Sequence, residues 1–174
     1  GGGGSGGSIV SSTSALSGGD YSRFWTSIGP GYVEFLVKTN NIPLTKVGID
    51  LKKALNQVSL RIKRLYSTSG LPDINKISSK HVSYQYFKVE TNNMKSKDVN
   101  KVKYYLKIDK DWIDKNSIKL GDVSLYEKTS SGWDKISTTY IGDLGSSYLF
   151  EAIAYGFNTF VIAAATDKKI PTII

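Results

Sequence analysis

HVSYQYFKVE (residues 81–90), VKYYLKIDKDWIDKNSI (102–118), VSLYEKTSSGWDKIST (123–138) and SSYLFEAIAYGFNTFVIAA (146–164) carry the reading of the fold. In the second stretch Val102, Tyr104, Leu106 and Ile108 recur at every other position, while Lys101, Lys103 and Lys107 fill the alternate ones. A period of two places apolar side chains on one face of a strand and charge on the other. At DKDWIDKNSI the period changes, with Asp109 as an N-cap and Trp112 and Ile113 spaced to fold back on a sheet. One short helix is therefore expected near residues 109–116. Further strands are expected at 122–128, 146–154 and 157–165, with SSG and GDLG as turn signals.

Upstream the same logic continues. After the Gly-Pro-Gly turn at 29–31, YVEFLVK alternates Val33, Phe35 and Val37 against Glu34, Leu36 and Lys38. Val47, Ile49 and Leu51 form another period-two set, Val58, Leu60 and Ile62 a third, with KKALNQ as the connection. SGLPDINKISSK reads as a loop broken by Gly70, Pro72 and Asp73. Many short strands with Gly-rich turns predict an all-β fold, an antiparallel β-sandwich of immunoglobulin-like character. Trp112, Trp133, Phe150 and Phe157 are then expected between its sheets. The sandwich is assigned to residues 20–166, preceded by a Gly/Ser-rich extension (1–19) that is a linker or a donor strand, and followed by an apolar tail (167–174).

The spacing of aromatics in the second half resembles the PGF-pre-PGF domain of secreted and cell-surface proteins of archaea, methanogens above all. The residues that carry it are Tyr84, Tyr86, Trp112, Ile113, Leu125, Tyr126, Gly132, Trp133, Tyr148, Phe150, Glu151, Gly156 and Phe157. The closing Pro-Gly-Phe of that family stands here as Tyr155-Gly156-Phe157, so the φ that proline would fix is lost while the glycine is kept. The resemblance is strongest over 82–163 and extends loosely to residue 33. It implies an extracellular, cell-surface structural module without an active site.

Composition narrows the function classes independently. No apolar run approaches the ~18–20 residues that cross a bilayer as a helix. With zero cysteines there is no disulfide and no thiolate chemistry or thiolate metal site. The single histidine, His81, stands at a loop-to-strand junction, and no nucleophile elbow or phosphate-cradling glycine loop occurs. Asp109, Asp111 and Asp114 imitate part of a calcium loop but lack its glycine at position 6 and glutamate at position 12. Glu34, Glu90, Glu127 and Glu151 each fall in a strand at an expected outward position. We therefore expect neither an enzyme nor a cofactor or metal.

The net charge of +8 is concentrated in TKVGIDLKKALNQVSLRIKRL, where Lys52, Lys53, Arg61, Lys63 and Arg64 could form a patch for an anionic polymer. The alternation of Arg61 and Lys63 with Leu60 and Ile62 reads more simply as the solvated face of a half-buried strand. No helix-turn-helix or zinc-finger spacing accompanies these residues, so a nucleic-acid partner is not expected.

The two ends suggest self-association. Glycine lets a backbone approach another closely, and SIVSSTSAL is uncharged and β-compatible. Added to the sheet of a second copy, it would supply main-chain hydrogen bonds and place alternate side chains in pockets. Ile9, Val10, Thr13, Ala15 and Leu16, with Ile170, Ile173 and Ile174 of the tail, are the candidate interface residues. The expected function is a structural subunit of a filament, sheath or array. The alternative is a surface binding module for carbohydrate, such as a cell-wall polysaccharide, or for an anionic polymer. A third arrangement pairs the terminal strand within its own chain.

Overall fold

In a computed structural model the described residues are 10–16, 20–77 and 80–166. They form an all-β, antiparallel structure with one short α-helix, as the period-two pattern predicts. The strands are β1 (Val10–Leu16), β2 (Asp20–Ile28), β3 (Gly31–Leu36), β4 (Leu44–Leu51), β5 (Leu55–Leu65), β6 (His81–Asn92), β7 (Val99–Asp109), β8 (Val123–Lys128), β9 (Trp133–Asp143), β10 (Ser147–Ala154) and β11 (Thr159–Ala165). The helix α1 (Lys110–Lys115) follows β7 directly.

The strand order is β1-β2-β5-β6-β11-β8-β9-β10-β7-β4-β3, a single sheet folded into two layers. This departs from an immunoglobulin-like sandwich, whose two sheets share no strand. The fold turns its corner in β9, where Trp133–Ile136 pair with β8 and Ser137–Asp143 pair with β10. Thr138 makes the exchange possible. Its hydroxyl accepts from the Leu125 N–H at 3.0 Å and donates to the Ile136 carbonyl at 2.8 Å, satisfying a ladder group that the departing strand leaves behind.

Apolar residues of both layers meet in one core. Its largest fully buried side chains include Trp25, Phe87, Tyr104, Phe150 and Phe160. The rings of Phe87, Tyr104 and Phe160 lie 4.8–6.2 Å apart, within the range of favourable aromatic pairing. Phe150 is in the core as expected, and Phe157 packs half-buried against it. Trp112 caps one end, its ring 4.9 Å from Tyr84. Trp133 is a correction: it lies on the outer surface of the β6-β11-β8 layer, with Tyr86, Tyr126, Val161 and Ala163. There the segment after β5 crosses over, and the Trp133 indole donates to the Pro72 carbonyl at 3.0 Å. That segment, expected as plain loop, contains a 3-10 turn (Ile74–Lys76) started by Asp73, which accepts from the Asn75 N–H. Asp109 precedes α1 but makes no capping bond; its carboxylate accepts from the Ser147 hydroxyl at 3.2 Å instead. KKALNQ is not all connection, since β5 already begins at Leu55.

Glu127 also departs from expectation. Opposite the fully buried Phe160, it continues the inward row of Val123 and Leu125, and burial pushes its carboxyl above the usual range.

His81 stacks edge-on against Tyr126, whose hydroxyl lies 3.2 Å from Nε2, and its Nδ1 is buried without a partner. Burial and then the neighbouring Lys135 hold its pKa below the ordinary 6.5. A base depressed on folding binds more protons when unfolded, so its stabilising contribution is complete above ~6.5 and falls as pH drops through the lower folded value. The urea midpoint should therefore decline from pH 7 to pH 5, and His81→Gln should flatten that decline. An identical slope in the variant would rule the histidine out as its source.

Candidate functional site

Among the described residues the folded sheet does not close on itself, so it has two margins, and they are unlike. One is β1, antiparallel to β2 in a register from Val10↔Trp25 to Leu16↔Asp20 with a shift between Val10 and Ser12. Of the expected interface residues, Val10, Ala15 and Thr13 stand opposite Trp25, Tyr21 and Arg23, and Leu16 opposite Asp20. Ile9, Ile170, Ile173 and Ile174 lie outside the described residues, as does the Gly-rich leader.

The other margin is β3, paired with β4 without interruption from Gly31↔Leu51 to Leu36↔Lys46. The Val37 N–H donates to the Thr45 carbonyl, while the Leu36 carbonyl accepts from the Tyr21 hydroxyl at 2.8 Å. A strand residue directs its N–H and C=O to the same side, so Val33, Phe35 and Val37 turn toward β4. Tyr32, Glu34 and Leu36 turn toward the margin. Natural edge strands are usually blunted by lysine, proline or a bulge. β3 has none of the three within its six residues, although Pro30 precedes it in the turn where Gly29 and Gly31 adopt φ of +82° and +95°.

Between this margin and β2 runs a groove lined by Tyr21, Arg23, Glu34, Phe35, Leu36 and Lys38. Sequence reading passed over Arg23. It stands in the inward row of β2 between Tyr21 and Trp25, its guanidinium 5.1 Å from the Phe35 ring centre and 5.4 Å from that of Trp25. Arg23 Nε, and Trp25 Nε1 in the core behind it, are buried donors without an acceptor among the described residues. A buried donor left unpaired costs about 1–3 kcal/mol.

On the outer face of the same layer Tyr32 lies across Gly48, whose missing side chain leaves room for it: a Cβ there would overlap the ring. The Tyr32 hydroxyl donates to Glu34 at 2.8 Å and Lys46 reaches Glu34 at 3.0 Å. The Lys46 ammonium and then the Tyr32 hydroxyl hold the Glu34 carboxyl below its usual range, while burial pushes the Tyr32 hydroxyl up.

The five basic residues are not brought together. Lys52 and Lys53 occupy the turn before β5, where Lys53 lies 3.8 Å from Asp98. Arg61 and Lys63 face outward mid-strand, paired with Asp20 and, at 3.8 Å, with Glu90. Arg64 takes the opposite face at the far end, its guanidinium 4.6 Å from the ring of Tyr66. A β-strand rises about 3.3 Å per residue, so Lys53 and Arg64 are roughly 30 Å or more apart. The arrangement is that of a solvated strand face with local acidic partners.

Among the described residues no group of three His, Asp or Glu side chains could hold a metal ion, and no helix is long and apolar enough to cross a membrane. Compared with protein-family models and with curated proteins, the chain finds no match in either. Its likeness to the PGF-pre-PGF domain accordingly rests on the residue pattern. Four of those residues pack in two pairs, Tyr84 on Trp112 at 4.9 Å and Tyr86 on Trp133 at 5.9 Å.

Proposed function

We propose that the chain is a structural protein of an archaeal cell surface, of the PGF-pre-PGF kind, whose copies join by strand addition into a filament, sheath or array. The observation that carries this reading is the pair of unlike margins on one continuous sheet, free among the described residues, β1 at one end and β3 at the other. A contact between two different patches does not close on itself unless its rotation happens to form a ring, so repetition extends it. The uncharged sequence of β1 supports the same reading, since no charge need be desolvated when it is buried. Removal of residues 1–16 is expected to leave a folded monomer that no longer polymerises, as read by circular dichroism and by electron microscopy. Polymer of undiminished length after that deletion would overturn the proposal.

A carbohydrate-binding surface module is the second reading. It is favoured by Tyr32, 46 % exposed and laid flat on the sheet beside Glu34, Lys46 and Lys103. A flat exposed ring flanked by hydrogen-bonding charges suits a sugar face, but Lys46 is already paired with Glu34 and Lys103 with Glu151.

A further inference from the structure

Strand addition needs a receiving site, and the two margins restrict what it can be. Resting on the strand-addition reading above, we propose that the receiving site is the margin of β3 with the groove beside it, and that its occupant is β1 of a second copy.

Three observations lead there. Among the described residues β3 has no second neighbour, and its outward backbone groups are those of Tyr32, Glu34 and Leu36, with only the Leu36 carbonyl already bonded, to Tyr21. β1 is the other free margin and the better match in length, seven residues against six. The chemistry of the groove also selects the occupant. Arg23 and Lys38 outnumber Glu34 along its walls. Val-Ser-Ser-Thr-Ser-Ala-Leu brings a hydroxyl oxygen at four of its seven positions and no cation to oppose the arginine. Strands rich in lysine or arginine, such as β5 and β7, would meet it with like charge.

No refolding is needed. β1 keeps β2 on one side and offers its other side to the β3 of the next molecule, so one continuous sheet passes from copy to copy. Tyr21 marks one end of the site, because its hydroxyl already occupies the Leu36 carbonyl.

The test uses the full chain carrying Glu34→Pro. Proline removes an N–H that faces the margin and leaves the β4 ladder intact, a placement that edge strands tolerate. Glu34→Ala, which keeps the N–H, is the control for loss of the side chain and its ion pair with Lys46. Sedimentation should show association at least about tenfold weaker for Glu34→Pro. Glu34→Ala should assemble as the parent does.

Because the chain has no cysteine, a second measurement is available should the proline variant not fold. A Glu34→Cys variant is mixed with Ser12→Cys or with Thr13→Cys, which together sample both faces of β1. Under oxidation one mixture should give a mixed disulfide dimer. No mixed dimer with either partner overturns the assignment, as does Glu34→Pro that polymerises normally. If removal of residues 1–16 abolishes polymer while Glu34→Pro leaves it intact, the receiving site is elsewhere and strand addition stands. If the deletion has no effect, both fall.

Discussion

Phe160→Ala should remove about 3–5 kcal/mol of folding free energy, among the largest losses expected from a single substitution in this chain. Phe160 is fully buried near the start of β11, a strand with neighbours on both sides and packed residues on both faces. Its ring lies 4.8 Å from Tyr104 and 5.4 Å from Phe87, so truncation leaves two aromatic faces without contact atoms. The sheet holds its backbone on both sides, and the surroundings cannot collapse into the space. Domains of this kind are stable by only ~5–15 kcal/mol, so the variant should approach unfolding at ambient temperature. Urea denaturation would show a lowered midpoint with an unchanged slope. A loss below ~1 kcal/mol would mean that this aromatic centre is not close-packed.

Gly156→Ala should cost about 1–3 kcal/mol, although alanine is the smallest change available. The cause is not backbone conformation, because Gly156 is not among the residues with positive φ. It is close approach: a Cβ would stand 2.5 Å from the Ser96 Cβ and would overlap its hydroxyl. Nor can the corner simply shift, since the Phe157 N–H donates to that hydroxyl at 3.2 Å and the buried Tyr104 hydroxyl donates to the Gly156 carbonyl at 3.0 Å. Ser96→Gly in the same chain should recover most of the loss, making the double variant more stable than the two single effects predict by addition. Strict additivity in thermal unfolding would show that the two residues do not collide. The glycine of the Tyr-Gly-Phe phrase is thus required by a serine about sixty residues away in sequence, which no local reading of a turn could reveal.

Period-two spacing identified the strands in which one row is apolar and the other charged, such as β4, β5 and β7. It missed two. In β2 the inward row is Tyr21, Arg23 and Trp25, so an arginine interrupts the alternation on the very face that is buried. In β9 most positions are exposed, because the strand turns a corner and has little core to face. Trp133 was misplaced because aromatic character says nothing about which side of a sheet is covered, and here the segment after β5 covers the outer one. The candidate site was half legible. β1 could be suspected from its lack of charge, whereas YVEFLVK reads like any half-buried strand. Its position at the margin follows from the order in which β4 and β7 pair, a property of the whole topology. The solvated-face reading of the basic residues was legible for the same reason as the strand itself, although Arg64 on the opposite face and the place of Lys52 and Lys53 before β5 were not.

The corner in β9 has a mechanical consequence. A sandwich of two independent sheets transmits tension between them only through side-chain packing, which slides. Here the same backbone belongs to both layers, so a pull entering at one margin reaches the other without leaving the hydrogen-bonded ribbon. The narrowest crossing on that route is the four-pair step between β8 and β9. A fibre strung from such units would have no seam inside the unit, and its compliance would be concentrated at that bend.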